Sequence, residues 1–500
     1  MSLKLYNTRT RSAEPFAPLA PPSVTIYVCG LTPNAEAHIG HARTLIFFDL
    51  LRRFLKHKGY AVRYVQNVTD IDDRSIAEAQ TSGCDWREIV AAYYSSFKSS
   101  LEKLGVMPID PGCEPRATHY VPQIVAMIGQ LMERGFAYVA KDGVYYRVAR
   151  FPEYGKLSGR NTADLEAGAR IEVDEFKEDP LDFALWKFAK PGEPSWESPW
   201  GAGRPGWHIE CSAMARELLG DQFDLHGGGA DLIFPHHENE IAQSEPVINK
   251  HPMAICWVHG GLLLNETRKM SKSLGNFEPL RQVLERYDPQ AIRLLFLQTG
   301  YSKVMNFRED AVAGADATLQ TLRQNFRLLN RFARAGDESA QWPVSLSRQM
   351  RNGDFSEFAE AVETALDDDM NTAAALREVL SFAALAPAFE GHASAASAAQ
   401  AALSYWLEIL GVGPSDAWLV APVAKLPDDF LNCLKKQLNG TVMLGNAVSA
   451  NEAIQIVIGV RQKARAEKRW AESDRLRDAL AHCGVALEDT REGTTWTVAG

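Results

Sequence analysis

An α/β core built on a parallel sheet, then a helical region and a small terminal unit, is the architecture the 500-residue sequence predicts. Two observations carry it. The first half alternates short β-branched or aromatic runs with longer stretches of helical period, and beyond about residue 310 helical periodicity takes over. "SVTIYVC" (Ser23 to Cys29) reads as a buried strand. "ARTLIFFDLLRRFLKHKG" sets Leu45, Phe48, Leu51 and Leu55 on one helical stripe that stops at Gly59, and "AVRYVQNVTD" returns as a strand. That is a βαβ unit, whose two strands run parallel.

Later runs repeat the pattern. "QFDLHGGG" and "AICWVHGG" end in glycines, and the strand ends carry Cys29-Gly30, Thr69-Asp70, His226-Gly227 and His259-Gly260. Open α/β sheets bind ligands beyond their strand carboxyl ends, so one site assembled from distant segments is expected. Arg116 to about Pro205 is less regular, with "KDGVYYRVARFPEYGKLSG" resembling a hairpin and "KPGEPSWESPWGAGRPG" a loop, and reads as an insertion that splits the sheet domain. Helical patterns follow in "DATLQTLRQNFRLLNRFARAG" and "FAEAVETALDDDMNTAAALREVLSFAALA". An Ala-rich stretch near 393–402 and a Pro-containing one then precede an end domain from about residue 428.

With 53 basic and 63 acidic residues the net charge is -10, so no global field attracts nucleic acid and any RNA partner must use local basic patches. The start of the sequence has no signal-like apolar core and no apolar run reaches the roughly 18 residues of a membrane span, so a cytoplasmic protein without a membrane partner is expected. The seven cysteines are scattered without a CxxC pair, which argues against a disulfide framework and for free thiols with one or two metal ligands.

Two local motifs bear on chemistry. "HIGH", His38 to His41, follows a strand and opens a helix. There Gly40 permits close approach of a ligand, unpaired N–H groups attract anions, and two imidazoles suit phosphate. "KMSKS", Lys269 to Ser273, places two ammonium and two hydroxyl groups in one loop. Candidate metal ligands lie in "GWHIECSAMA", which supplies Cys211, in "FPHHENEIAQSE", and at Cys29. On a helix His236 and Glu240 share a face, but His237 is also within reach of Glu240, and spacing does not choose between them.

In this order, "HIGH" and "KMSKS" resemble the signature of class I aminoacyl-tRNA synthetases. The run "SPWGAGRPGWHIECSAMA … FDLHGGGADLIFPHHENEIAQSE … RKMSKSLGN" resembles the cysteinyl-tRNA synthetase family over most of residues 23 to 277. The resemblance implies a Rossmann-like catalytic domain over 1–310 with its insertion at about 116–205. It further implies a DALR-like, tRNA-binding helical bundle over 311–427 and an anticodon-binding domain over 428–500. It implies ATP, with Mg2+, handled by His38, Gly40, His41, Lys269, Ser271 and Lys272, of which the two histidines and two lysines are catalytic. One Zn2+ per chain would be held by Cys29, Cys211, His236 and Glu240 and take the substrate thiolate. L-cysteine would lie among Gly30, Thr69, Trp207 and Asp231, tRNA-Cys would be the acceptor, and the protein would be a monomer.

The chain departs from the family at "TPNAEA", where relatives usually carry an aromatic residue and often an aspartate. Near the end, seven basic residues between Arg461 and Arg477 face four acidic ones between Glu467 and Asp478, with Trp470 among them, a pattern suited to unstacked bases. Two other readings are weaker. The related cysteine ligase of mycothiol synthesis lacks the anticodon-binding tail and departs at the Glu240 position. A zinc hydrolase would require a histidine where Ile241 stands.

Overall fold

The computed structural model describes residues 2–160, 176–248, 251–265, 268–269, 278–338, 340–343, 346–419, 429–442, 444, 450–490 and 493–498. The chain divides into two compact units, Met1–Leu419 and Val420–Gly500.

The first unit opens with a short antiparallel pair, β1 (Lys4–Asn7) and β2 (Ser12–Pro15). Then β3 (Ser23–Leu31), helix α1 (Ile39–His57) and β4 (Ala61–Val68) form the expected βαβ unit, with β3 and β4 parallel. β9 (Phe223–Gly229) and β10 (Ala254–Gly260) complete a four-stranded parallel sheet in the order β10-β9-β3-β4. Alternation along β3 separates two cores: Val24, Ile26 and Val28 join α1, while Tyr27 and Cys29 join the opposite cluster with Val65 and Trp257. Both faces are covered, which is why these strands read as continuous apolar runs. The contact with α1 is tight: a Cβ on Gly227 would lie 2.1 Å from the Phe48 ring.

Helices α2 (Asp73–Ser82) and α3 (Trp86–Lys103) follow β4, and α4 (Val121–Glu133) leads into the insertion. There β5 (Ala137–Val139), β6 (Gly143–Tyr146), β7 (Phe183–Phe188) and β8 (Gly203–Pro205) make an antiparallel sheet. The hairpin expected over Lys141 to Gly159 is instead β5–β6, paired from Ala137 opposite Tyr146 to Val139 opposite Val144 around a bend at Lys141-Asp142, and the chain from Val148 proceeds in a 3-10 turn and further turns. α5 (Trp207–Leu219) and α6 (Glu238–Ser244) return to the sheet. β11 (Leu263–Asn265) then pairs antiparallel with β12 (Arg268–Lys269) and parallel with β13 (Met305–Phe307), with α7 (Leu280–Arg286) and α8 (Pro289–Leu297) between.

The bundle comprises α9 (Glu309–Ala335), α10 (Ser356–Asp367), α11 (Thr372–Ala383) and α12 (Ala393–Leu410). In α9, Val312, Ala315, Leu319, Leu322, Phe326 and Leu329 recur at three- and four-residue steps and are buried, one apolar stripe facing the neighbours. The Ala-rich stretch forms the tightly packed first turns of α12, where Ala395, Ala396 and Ala399 are buried. Among the described residues one stretch, Thr372–Phe389, is apolar and long enough to cross a membrane (mean hydropathy 1.3); its residues Leu376, Val379 and Phe382 are buried in this bundle. An ion pair with neither partner exposed ties α1 to α8: Arg293 Nη2 lies 2.5 Å from Asp49 Oδ2. The same guanidinium donates to the carbonyls of Leu410 and Leu104.

The second unit holds α13 (Phe430–Leu438), α14 (Ala450–Ala466), α15 (Trp470–His482) and the antiparallel pair β14 (Val485–Thr490) and β15 (Gly493–Val498). β14 and β15 form a hairpin with Thr490 opposite Gly493. The expectation of free thiols holds for most of the cysteines and is corrected for two: Cys433 and Cys483 form a disulfide across 50 residues, closing α13 onto the end of α15. Cys29, Cys84, Cys113, Cys211 and Cys256 are free.

Candidate active site and metal centre

A cleft of about 1260 Å³ opens beyond the carboxyl ends of the parallel strands. Its walls include Cys29, Gly30, His38, Gly40, His41, Thr69, Trp207 and Asp231, so residues from four separated segments meet in it.

On one side, α1 begins at N-cap His38, whose Nδ1 accepts from the Gly40 N–H at 3.1 Å, while the His38 N–H donates to His41 Nδ1 at 3.2 Å. The two rings stack 3.8 Å apart. Because both Nδ1 atoms accept, both neutral rings carry their proton on Nε2. Burial, with the neighbouring His38, pulls the His41 imidazole down to about 3, which keeps it neutral at pH 7. Of the lysine–serine loop, Lys269 enters through β12, whose backbone pairs with Leu264. Ser271 and Lys272 lie outside the described residues.

On the other side, Cys29 Sγ stands 3.7 Å from Cys211 Sγ and 3.3 Å from Glu240 Oε1, and His236 Nε2 is 3.1 Å from the same oxygen. Ligands bound at about 2.0–2.3 Å in tetrahedral array stand about 3.3–3.8 Å apart, so these three separations are close to those of a zinc site. The four donor atoms lie within 4.8 Å of one another, and so do those of Cys29, His226, His237 and Glu240. Both groupings follow from helical spacing, His236 standing four residues and His237 three residues before Glu240, with Nε2 3.1 Å and 3.9 Å from Glu240 Oε1. Ile233–His237 forms a wide π turn with Phe234 extended, and α6 follows it directly. Glu240 faces Cys29 and His236 through Oε1 and His226 through Oε2, at 2.9 Å.

The electrostatics describe a cluster short of positive charge. Burial pushes the Cys29 and Cys211 thiols up, with Cys211 and Glu240 adding to the rise at Cys29, and pulls His236 down to about 3. For Glu240 burial acts upward but is outweighed by His226 and His236, so its carboxyl stays below the usual range. A divalent cation reverses the direction at the thiols, because it favours thiolate.

Sequence reasoning passed over the polar groups behind this cluster. His237 Nδ1 is 2.7 Å from His259 Nε2, whose Nδ1 is 2.8 Å from Thr8 Oγ1. His208 Nδ1 is 2.9 Å from His236 Nδ1. His259 sat at a strand end flagged as a ligand site, but nothing in its neighbours marked Thr8, 251 residues away, as its partner.

The residues expected around the amino acid also line the cleft. Gly30 donates to Asn67 Oδ1, and a Cβ there would stand 1.8 Å from the Asn67 carbonyl oxygen, so glycine is required. Thr69 is buried with its N–H on the Leu31 carbonyl, and Asp231 sits in a short 3-10 turn after β9. Trp207, 43% exposed, stacks on His236 with centroids 4.4 Å apart. In the departing loop, Asn34 Nδ2 donates to Asp72 Oδ2 at 2.6 Å and Glu36 accepts from Ser96 Oγ, anchoring "TPNAEA" to α2 and α3.

In the second unit, much of the basic surplus is neutralised locally. Arg461 and Arg465 both pair with Asp489, and Arg469 pairs with Glu467 and Glu472, while Trp470 is 57% exposed.

Comparison with known proteins agrees along the whole chain. Residues 15–317 match the family of class I (C) tRNA synthetase catalytic domains, 361–412 the DALR domain, and 450–496 the cysteinyl-tRNA ligase anticodon binding domain. A cysteine–tRNA ligase of Methylococcus capsulatus is 44% identical over 99% of both chains, and one of Heliobacterium modesticaldum 42% identical over 99% of both. Among solved structures, a Mycobacterium tuberculosis methionyl-tRNA synthetase bound by methionyl-adenylate shares the fold at TM-score 0.56 and 14% identity, covering 78% of this chain and 90% of that one. With its catalytic-domain match spanning more than half its length and full-length relatives above 40% identity, the chain belongs to the cysteine–tRNA ligase family of class I synthetases.

Proposed function

We propose that the protein activates L-cysteine with ATP, forming cysteinyl-adenylate and pyrophosphate, and then transfers cysteine to the 3' end of tRNA-Cys. The observation that carries this reading is that the cleft lined by the paired histidines of α1 is also lined by Cys29, a member of the buried thiol–imidazole–carboxylate cluster. An oxygen of the substrate carboxylate attacks the α-phosphorus, the bond to the β-phosphate breaks, and pyrophosphate leaves. No enzyme nucleophile is required, so positioning and electrostatics supply the rate. His38 and His41 act as neutral Nε2–H donors to phosphate oxygens at the amino end of α1. Lys269 and Lys272 of the lysine–serine loop, with Ser271 and Mg2+, neutralise the departing pyrophosphate.

For the amino acid we assign the metal to Cys29, Cys211, His236 and Glu240, the grouping with two thiols, because soft thiolates favour zinc. Zinc, when bound, offers the substrate thiolate a ligand position that a serine hydroxyl fills poorly. Trp207 walls this pocket, Asp231 holds the substrate ammonium, and Gly30 and Thr69 border it. The family resemblance supports three parts: catalytic over 1–310 with the insertion, bundle over 311–427, anticodon-binding over 428–500. It also supports a cytoplasmic monomer.

The test is amino-acid-dependent exchange of pyrophosphate into ATP, run beside charging of total tRNA. Exchange with cysteine together with charging supports the reading. Exchange without any charging, accompanied by ligation of cysteine to an amino-sugar, replaces it.

A further inference from the structure

Arg43, in the turn of α1 that follows His41, is 5% exposed, and among the described residues no carboxylate pairs with it. Its guanidinium instead gathers four backbone carbonyls from two other segments. Nη1 donates to Gly261 at 3.1 Å and Leu262 at 3.0 Å, and Nη2 to Lys303 at 2.7 Å and Gly300 at 3.4 Å. The first two carbonyls precede β11 directly, and the other two lie in the turn that leads into β13. These are the strands that run in parallel, Leu263 opposite Met305, and β12 with Lys269 is paired to the outer side of β11.

A buried cation held by neutral carbonyls is an expensive way to join two segments, and an apolar contact would serve if adhesion were all that was needed. The planar fork does something else: it sets the angle and distance between α1 and both strand roots at once. Neighbouring features tighten the same joint. Phe47, one turn along α1, stacks on Tyr301 at 4.0 Å, and a Cβ on Gly261 would stand 2.3 Å from the Lys303 carbonyl oxygen, so the two segments touch backbone to backbone.

We propose that Arg43 is a positioning residue of the adenylation step, which fixes the strand carrying Lys269 relative to the helix end carrying His38 and His41. The inference rests on the functional reading above for its consequence and on the carbonyl clamp alone for its geometry. It requires a selective defect. Misplacing reacting groups by about 1 Å costs roughly 10²-fold in rate, whereas cysteine selection uses β3, α5 and α6, which Arg43 does not touch.

Arg43→Lys retains the charge but one ammonium cannot span four carbonyls. Expected are a roughly 10- to 100-fold fall in kcat for cysteine-dependent pyrophosphate exchange and a raised KM for ATP. Zinc content and the KM for cysteine should stay unchanged. Amide hydrogen exchange should quicken at residues 261–265 and 301–305 but not in β9. Arg43→Ala should regain part of its rate on addition of ethylguanidinium, which refills the fork. A Lys variant with full exchange activity and unchanged ATP KM overturns the proposal, as does parallel loss of zinc, cysteine affinity and rate, the pattern of a general folding defect. If the unaltered protein exchanges pyrophosphate with no amino acid, the functional reading falls. The amide-exchange comparison then decides the clamp by itself: quickening at 261–265 supports it and no change overturns it.

Discussion

Replacing Cys211 by serine separates the two overlapping metal groupings. Burial holds both the Cys29 and Cys211 thiols protonated at neutral pH, His236 is neutral, and Glu240 is ionised. A metal bound by Cys29, Cys211, His236 and Glu240 must therefore expel two protons, whereas one bound by Cys29, His226, His237 and Glu240 expels one. Structural zinc sites bind with about 10–16 kcal/mol, which over four ligands averages about 2.5–4 kcal/mol each, so losing one thiolate weakens binding on the order of 10²-fold. Titrating the metal-free protein in buffers of different ionisation enthalpy counts the protons. The cobalt-substituted protein reports thiolate ligands through their charge-transfer absorption. The assignment predicts two protons and full absorption in the parent, one proton and about half the absorption in Cys211→Ser. Unchanged proton release and absorption in that variant would refute it and transfer the metal to the His226 and His237 grouping.

Three further outcomes follow from the fold. Asp49→Ala strips the fully buried Arg293 of its counter-charge and the Met107 N–H of its acceptor, and should cost about 3–5 kcal/mol in urea unfolding. The double variant Asp49→Leu with Arg293→Met should recover most of that, and failure to recover would show that the pair is not the cause. Reduction of Cys433–Cys483 reopens a 50-residue loop; chain entropy alone puts the loss near ~4 kcal/mol, so the second unit's unfolding midpoint should drop on adding reductant and should not move in Cys433→Ser. Burial holds the His259 imidazole at about 3 against ~6.5 unfolded, so the unfolded chain binds the extra proton between these values and stability falls as pH drops below ~6.5. That amounts to about 2 kcal/mol at pH 5, and His259→Gln should show a shallower acid slope than the parent; an equal slope contradicts the assignment.

What could be read from residues alone was what is encoded locally. The βαβ unit follows from a β-branched run beside a helical stripe, and His38, Gly40 and His41 cap a helix end within four positions, so no distant contact is needed to see them. The metal cluster is different. Helical spacing leaves His236 and His237 both in reach of Glu240, and both groupings close in the structure, at 3.1 Å for His236 and 3.9 Å for His237, so donor chemistry is needed to choose between them. Arg43 was invisible because its partners are backbone carbonyls more than 200 residues away, which no side-chain pattern marks. Cys433 and Cys483 escaped for a similar reason, since they meet only once α13 packs against the end of α15. In the basic tail, composition overstated the field, because Asp489 in the hairpin cancels arginines counted on α14.

The most direct measurement is the ratio of kcat/KM for cysteine to that for serine in tRNA charging, taken with the metal-loaded protein and again with Cys211→Ser. A site that demands one particular polar contact discriminates by about 10⁴ to 10⁵, while an apolar pocket separates near-isosteres by only roughly 10- to 200-fold. The metal assignment predicts the larger ratio in the parent and its collapse in the variant. A parent ratio in the apolar range, or a variant that keeps the parent's ratio, would contradict it.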